Sequence, residues 1–77
     1  MLSELAIGVA LKQLRQNANK TLIQASKQCG QGKTWLSNIE CGTRRLMFED
    51  AKTLCDFYGV TLKDLSDLAE KIDEKIR

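Results

Sequence analysis

The chain contains no histidine and no proline, and only 5% of its 77 residues are aromatic. Without histidine, the most frequent general base and metal ligand is missing. The three cysteines, Cys29, Cys41 and Cys55, are odd in number and lack CxxC spacing, so neither a zinc site nor a disulfide framework is indicated. Reduced thiols are expected, two of them as core filler. Clustered carboxylates and a phosphate-cradling glycine loop are lacking as well, which leaves nothing to act as base, metal site or activated nucleophile. The reading is a non-enzyme without cofactor or metal. Long apolar runs are also absent: LAIGVAL, residues 5–11, is far short of the ~20 residues that span a bilayer. The first lysine is Lys12, so no basic segment of a secretory signal precedes that run. A cytoplasmic protein without a membrane partner is the expectation.

What is present favours helices. With 43% hydrophobic residues and no proline to punctuate them, one small all-α domain over residues 1–77 is expected, with a modest core. The net charge of +2 hides an asymmetry. Residues 1–45 carry seven Lys/Arg against Glu4 and Glu40, whereas residues 46–77 carry five against eight acids. A basic half beside an acidic half favours an oriented encounter with a polyanion.

Apolar spacing places five helices. Ile7, Leu11, Leu14 and Ala18 put one stripe on a first helix over about 3–17, which NANK breaks. Thr21 and Gln24 form a capping box for a second helix with Leu22, Ala25, Ser26 and Cys29 inward, closed by Gly30 in the left-handed region. Only GQG, residues 30–32, separates it from a third helix over about 33–41 that stops at Gly42, so this pair meets at a sharp angle across a tight turn. A fourth helix is read as burying Phe48, Ala51, Leu54, Cys55 and Tyr58, ending at Gly59. Thr61 with Asp64 starts a fifth over LKDLSDLAEKIDEKIR. No strand, repeat or low-complexity linker is evident.

In this order the segments resemble the Cro/lambda-repressor-like, or XRE-type, helix-turn-helix family. IGVALKQLR is similar to its l-G-x-x-I-x-x-l-R first helix, TLIQASKQCG to its T-q-x-x-L-A-x-x-l-G second helix and GKTWLSNIECG to its s-x-x-x-I-S-x-I-E-x-G recognition helix. FEDAKTLCDFYGVTLKDL fits the last two helices. Leu22, Ala25, Ser26, Leu46 and Met47 depart from the usual residues. The resemblance implies a five-helix fold with the helix-turn-helix at about 21–41, and double-stranded DNA as partner. It also implies that the third helix enters the major groove.

On that helix the resemblance assigns base reading to Gly32, Lys33, Thr34 and Asn38. Gly32 lets the helix start close to the duplex, lysine donates to guanine, and asparagine pairs with adenine. Threonine donates, accepts or meets a thymine methyl. Phosphate contacts fall to Gln31, Trp35, Thr43, Arg44 and Arg45, which fix register without reading sequence. For Trp35 packing against neighbouring helices is the favoured alternative, and Ser37 fits a small packing position. Arg15 and Glu40 match an ion pair between the first and third helices.

Two functions compete. One is a DNA-binding transcriptional regulator, read as a repressor, either whole or as a module of a longer regulator acting with a further partner domain or protein. The other is a helical protein-interaction module, such as an antirepressor or assembly factor. Leu62, Leu65, Ala69, Ile72 and Ile76 recur at 3, 4, 3, 4 spacing, beyond what the compact domain of the family needs. The helix over about 62–76 is therefore expected to outrun its own core and support a homodimer. The alternative is that Ile72 and Ile76 fold back on the first helix. Asp67 with Lys71, and Asp73 with Arg77, are i, i+4 pairs that support the helix in either case.

Overall fold

The computed structural model describes residues 2–76. They form α1 (Glu4–Asn17), α2 (Leu22–Gln28), α3 (Lys33–Glu40), α4 (Phe48–Tyr58) and α5 (Leu62–Ile76), with no strand among them. Each start has a local cause. Ser3 caps α1 by accepting from the Ala6 amide at 3.0 Å. Thr21 and Gln24 complete the capping box of α2 at 2.9 and 3.1 Å, and Thr61 and Asp64 exchange two bonds of 3.0 Å at the start of α5. Hydrogen bonding from the Thr61 amide first, and from its hydroxyl second, holds the Asp64 carboxyl below its ordinary pKa. Met47, in contrast, precedes α4 without a side-chain cap.

Four helix ends close with the same reversal. Asn19, Gly30, Gly42 and Gly59 adopt positive φ, and the following amides of Lys20, Gln31, Thr43 and Val60 reach back to the carbonyls of Arg15, Ser26, Asn38 and Cys55 at 2.9–3.1 Å. This is the Schellman arrangement, which satisfies carbonyls that the helix leaves free. Gly42 has a second constraint, because an added β-carbon would come within 2.8 Å of the Leu5 Cα.

The core gathers Leu11, Leu36, Ile39, Leu54 and Cys55 around the small residues Ala10, Ala25 and Ala69. Here α1 differs from its expected stripe. Ala6, Ala10 and Leu11 are fully buried, whereas Ile7, Leu14 and Ala18 are only half-buried at the flank. The reason is that α1 packs against both α3 and α5, so its buried face is wider than one stripe and small residues set the closest approaches. Gly8 is the extreme case, facing the backbone of Ile39 and Glu40.

Two further expectations change. Phe48 is 71% exposed rather than buried. It lies in the first turn of α4, two residues before Asp50, whose carbonyl the Cys29 thiol meets at 4.0 Å, and no described element covers it. In α5, Leu65 and Ala69 are buried and Ile72 packs against the core, leaving only Ile76 of that stripe exposed. The helix thus lies along α1 instead of outrunning the core. Asp67 pairs backwards with Lys63 at 2.9 Å, not forwards with Lys71, and the expected pair of Asp73 involves Arg77, outside the described residues.

Candidate nucleic-acid interface

The sequence between α2 and α3 dictates a tight corner. Gly30 takes φ +68° and Gly32 serves as N-cap of α3 in extended conformation. Because Gly32 has no side chain, no side-chain cap bond occupies the first amides of α3. They remain available to an anion at a helix start.

The inner side of α3 is fixed by two kinds of contact. Leu36 and Ile39 are fully buried. Next to them Arg15 Nε donates to Glu40 Oε2 at 2.8 Å, a terminal Arg15 nitrogen donates to Glu40 Oε1 at 3.1 Å, and the other reaches the Lys20 carbonyl at 2.9 Å. The guanidinium is thereby triply satisfied, and the hydrogen bond to Glu40 is the main cause of its raised pKa. Close by, the Tyr58 hydroxyl is buried without a hydrogen-bond partner among the described residues. Burial first, and the Glu40 charge second, push its pKa well up. The result is a helix that cannot roll without stranding a buried charge.

Its outer side is open. Lys33, Thr34 and Asn38 are all exposed, as are Gln31 and Gly32 at the corner. With Lys33 at the first position of the helix, Thr34 beside it and Asn38 a turn further on, they form a continuous polar face. The only acid in α3, Glu40, is turned inward to Arg15. Ser37 is half-buried, and Trp35 is half-buried and packs against the core, which favours the packing reading of its ring.

After α3 the chain turns through Thr43, Arg44 and Arg45, all exposed. Thr43 bonds twice to the Asn38 carbonyl, through its amide at 3.0 Å and its hydroxyl at 3.1 Å. The hydroxyl assigned to phosphate contact is therefore engaged in closing α3, and it ties the loop to the helix. Arg45 Nε lies 3.7 Å from Glu4 Oε1, with both side chains largely in solvent. Such a contact contributes little to stability. Sequence reasoning did not foresee this partner, because Glu4 and Arg45 meet only through the packing of α1 beside the end of α3.

Lys33 at the start of α3 and Arg44 and Arg45 after its end are all exposed, and Glu4 is the acid beside the two arginines. Among the described residues, no group of three or more His, Cys, Asp or Glu could hold a metal ion. Among the same residues, no helix is long and apolar enough to cross a membrane.

The arrangement has known counterparts. A family profile described as a helix-turn-helix domain matches residues 6–68. Two solved structures, each described as a crystal structure of the clp gene regulator ClgR from Corynebacterium glutamicum, superpose with a TM-score of 0.87. One is 23% identical, over 95% of this chain and 94% of its own. The other is 24% identical, over 92% of this chain and 76% of its own. At these identities the likeness is one of fold. No curated protein matches the chain.

Proposed function

The chain belongs to the helix-turn-helix domain family, in its Cro/lambda-repressor-like form, and from that premise we propose that it is a sequence-specific, double-stranded-DNA-binding transcriptional repressor. The observation that carries this reading is the two-sidedness of α3. Its inner side is locked by Leu36, Ile39 and the Arg15–Glu40 pair, while Lys33, Thr34 and Asn38 are exposed on the side away from them. A helix held this firmly can present side chains to base edges in a fixed register.

The roles divide by chemistry. Lys33, Thr34 and Asn38 read bases, with Gly32 permitting close approach. Arg44 and Arg45, with Gln31 and the free amides at the start of α3, hold phosphates. Thr43 acts by holding the loop to the helix, and Trp35 by bracing α3 against the core. Repression by occupancy requires nothing beyond this face. Two copies on a pseudo-palindromic site would read half-sites about one helical turn, ~34 Å, apart. Leu65 and Ala69 are already buried within the domain, so the pairing surface must lie elsewhere than on the inner stripe of α5.

Selection of bound sequences from a random duplex pool defines the preferred site. On that site Asn38→Ala is expected to cost about 1–3 kcal/mol and relax the preference at one base pair, with little effect on random DNA. Arg45→Ala should weaken specific and random DNA alike and lower the salt slope by about one. An equal, uniform loss from both substitutions would refute the division. No binding to any duplex would favour the protein-interaction function instead.

A further inference from the structure

Between the start of α1 and the segment after α3 lie two cavities that share a wall. One, of about 280 Å³, is lined by Glu4, Arg44 and Arg45 together with Leu2, Ile7 and Leu46, and its floor includes Ile39 of α3. The other, of about 200 Å³, shares Leu2, Ile7 and Leu46 and continues over Leu65, Ser66 and Ala69 of α5. All the charged groups stand at one end. Among the described residues, Ser66 is the only polar side chain lining the other. Either cavity alone falls below the ~300 Å³ at which small-molecule sites begin, so a ligand of that size must span both.

The charged end is unbalanced. Two guanidiniums line it with one carboxylate, and Glu4 holds Arg45 only loosely, at 3.7 Å. Arg44 has no ion pair or side-chain hydrogen bond among the described residues. One positive charge beside an apolar trough calls for one negative charge with an apolar tail.

We propose that this trough is an effector site for a soluble monocarboxylate with an unbranched aliphatic chain, of the medium-chain fatty-acid class. The carboxylate pairs with the Arg44 fork, the geometry that guanidinium offers best. The chain lies along Leu2, Ile7 and Leu46 toward α5, each buried methylene strengthening binding about fourfold. An alcohol of the same length leaves Arg44 without its counter-charge, and a dianion meets repulsion from Glu4. The effector role rests on the reading of Arg44 and Arg45 as phosphate contacts. A ligand that engages Arg44 withdraws positive charge from the DNA face, and by linkage DNA and ligand weaken one another by the same factor.

Calorimetric titration of the whole chain with decanoate below its micelle concentration, without DNA, tests the site by itself. The expected result is one-to-one binding, with octanoate about fifteenfold weaker and decanol about tenfold weaker. Ser66→Leu fills the apolar end without touching the DNA face and should lose at least tenfold, with its thermal midpoint near that of the wild type. Should that variant fail to fold, the exposed Arg44→Gln should show the same loss. Equal affinity for decanol and decanoate, no binding up to the solubility limit, or binding to anionic vesicles but not to monomeric decanoate overturns the proposal. With the selected duplex, saturating decanoate should raise the Kd about tenfold in the wild type and leave it unchanged in Ser66→Leu; an unchanged wild-type Kd refutes the effector role. A chain that bound no duplex even without decanoate would sink the regulator reading, while the DNA-free titration would still decide the site.

Discussion

Replacing Gly8 with alanine sets two effects of opposite sign against each other. In a helix interior alanine is favoured over glycine by about 1 kcal/mol, so α1 taken alone would gain stability. Its tertiary setting reverses the sign. A β-carbon at Gly8 would overlap the Ile39 carbonyl oxygen and lie 2.8 Å from the Glu40 carbonyl oxygen and 3.0 Å from its carbon. These are backbone atoms of the last turn of α3, which no change of rotamer can move, so α1 and α3 must separate. Overpacking of this kind costs about 1–3 kcal/mol. The same separation pulls on Glu40, whose carboxylate holds Arg15 at 2.8 and 3.1 Å, and stranding one partner of a buried pair costs about 3–5 kcal/mol. With the pair strained but not lost, and the propensity gain subtracted, the expected net loss is about 2–4 kcal/mol. A chain of this length has only about 4–12 kcal/mol in total, and each kilocalorie lowers the midpoint by about 4–8 °C. A melt followed by circular dichroism should therefore fall by about 10 °C or more. A midpoint equal to or above that of the wild type would refute the reasoning, since it would mean that the α1–α3 contact yields freely.

Other expectations follow from the same interior. Glu40→Ala should cost about 3–5 kcal/mol by leaving the Arg15 guanidinium buried without its carboxylate; an unchanged thermal midpoint would remove the pair from the fold's support. Tyr58→Phe removes a buried hydroxyl that has no partner among the described residues, so it should be neutral or stabilise by about 1 kcal/mol. A clear loss in denaturant titration would show that the hydroxyl is satisfied. The thiols should separate by reactivity with iodoacetamide at neutral pH, read by mass spectrometry. Cys41 is exposed, whereas Cys55 is buried and burial together with the Asp50 charge pushes Cys29 up to about 11. Cys41 should be alkylated first and the other two only on unfolding; early labelling of Cys29 would contradict that order.

Elements whose causes are local were legible in the chain before any fold was known. The capping box of Thr21 and Gln24, the Thr61–Asp64 start, and the reversals at Gly30, Gly42 and Gly59 depend on residues within a turn of one another, so their spacing alone determined where helices begin and end. The two-sidedness of α3 was legible for the same reason: Leu36 and Ile39 at helical spacing leave Lys33, Thr34 and Asn38 on the opposite side wherever the core lies. Tertiary structure decided what depends on neighbours distant in sequence. Phe48 has the spacing of a core residue, yet no described element covers the first turn of α4 and it stays in solvent. The stripe of α5 looks fit for a partner, but Leu65 and Ala69 are consumed by α1 and the core. Glu4 meets Arg45, and Gly8 meets the backbone of Ile39 and Glu40, only because α1 packs beside the end of α3. Periodicity reports which side of a helix is apolar, but it does not report which other helix, if any, is there to cover it.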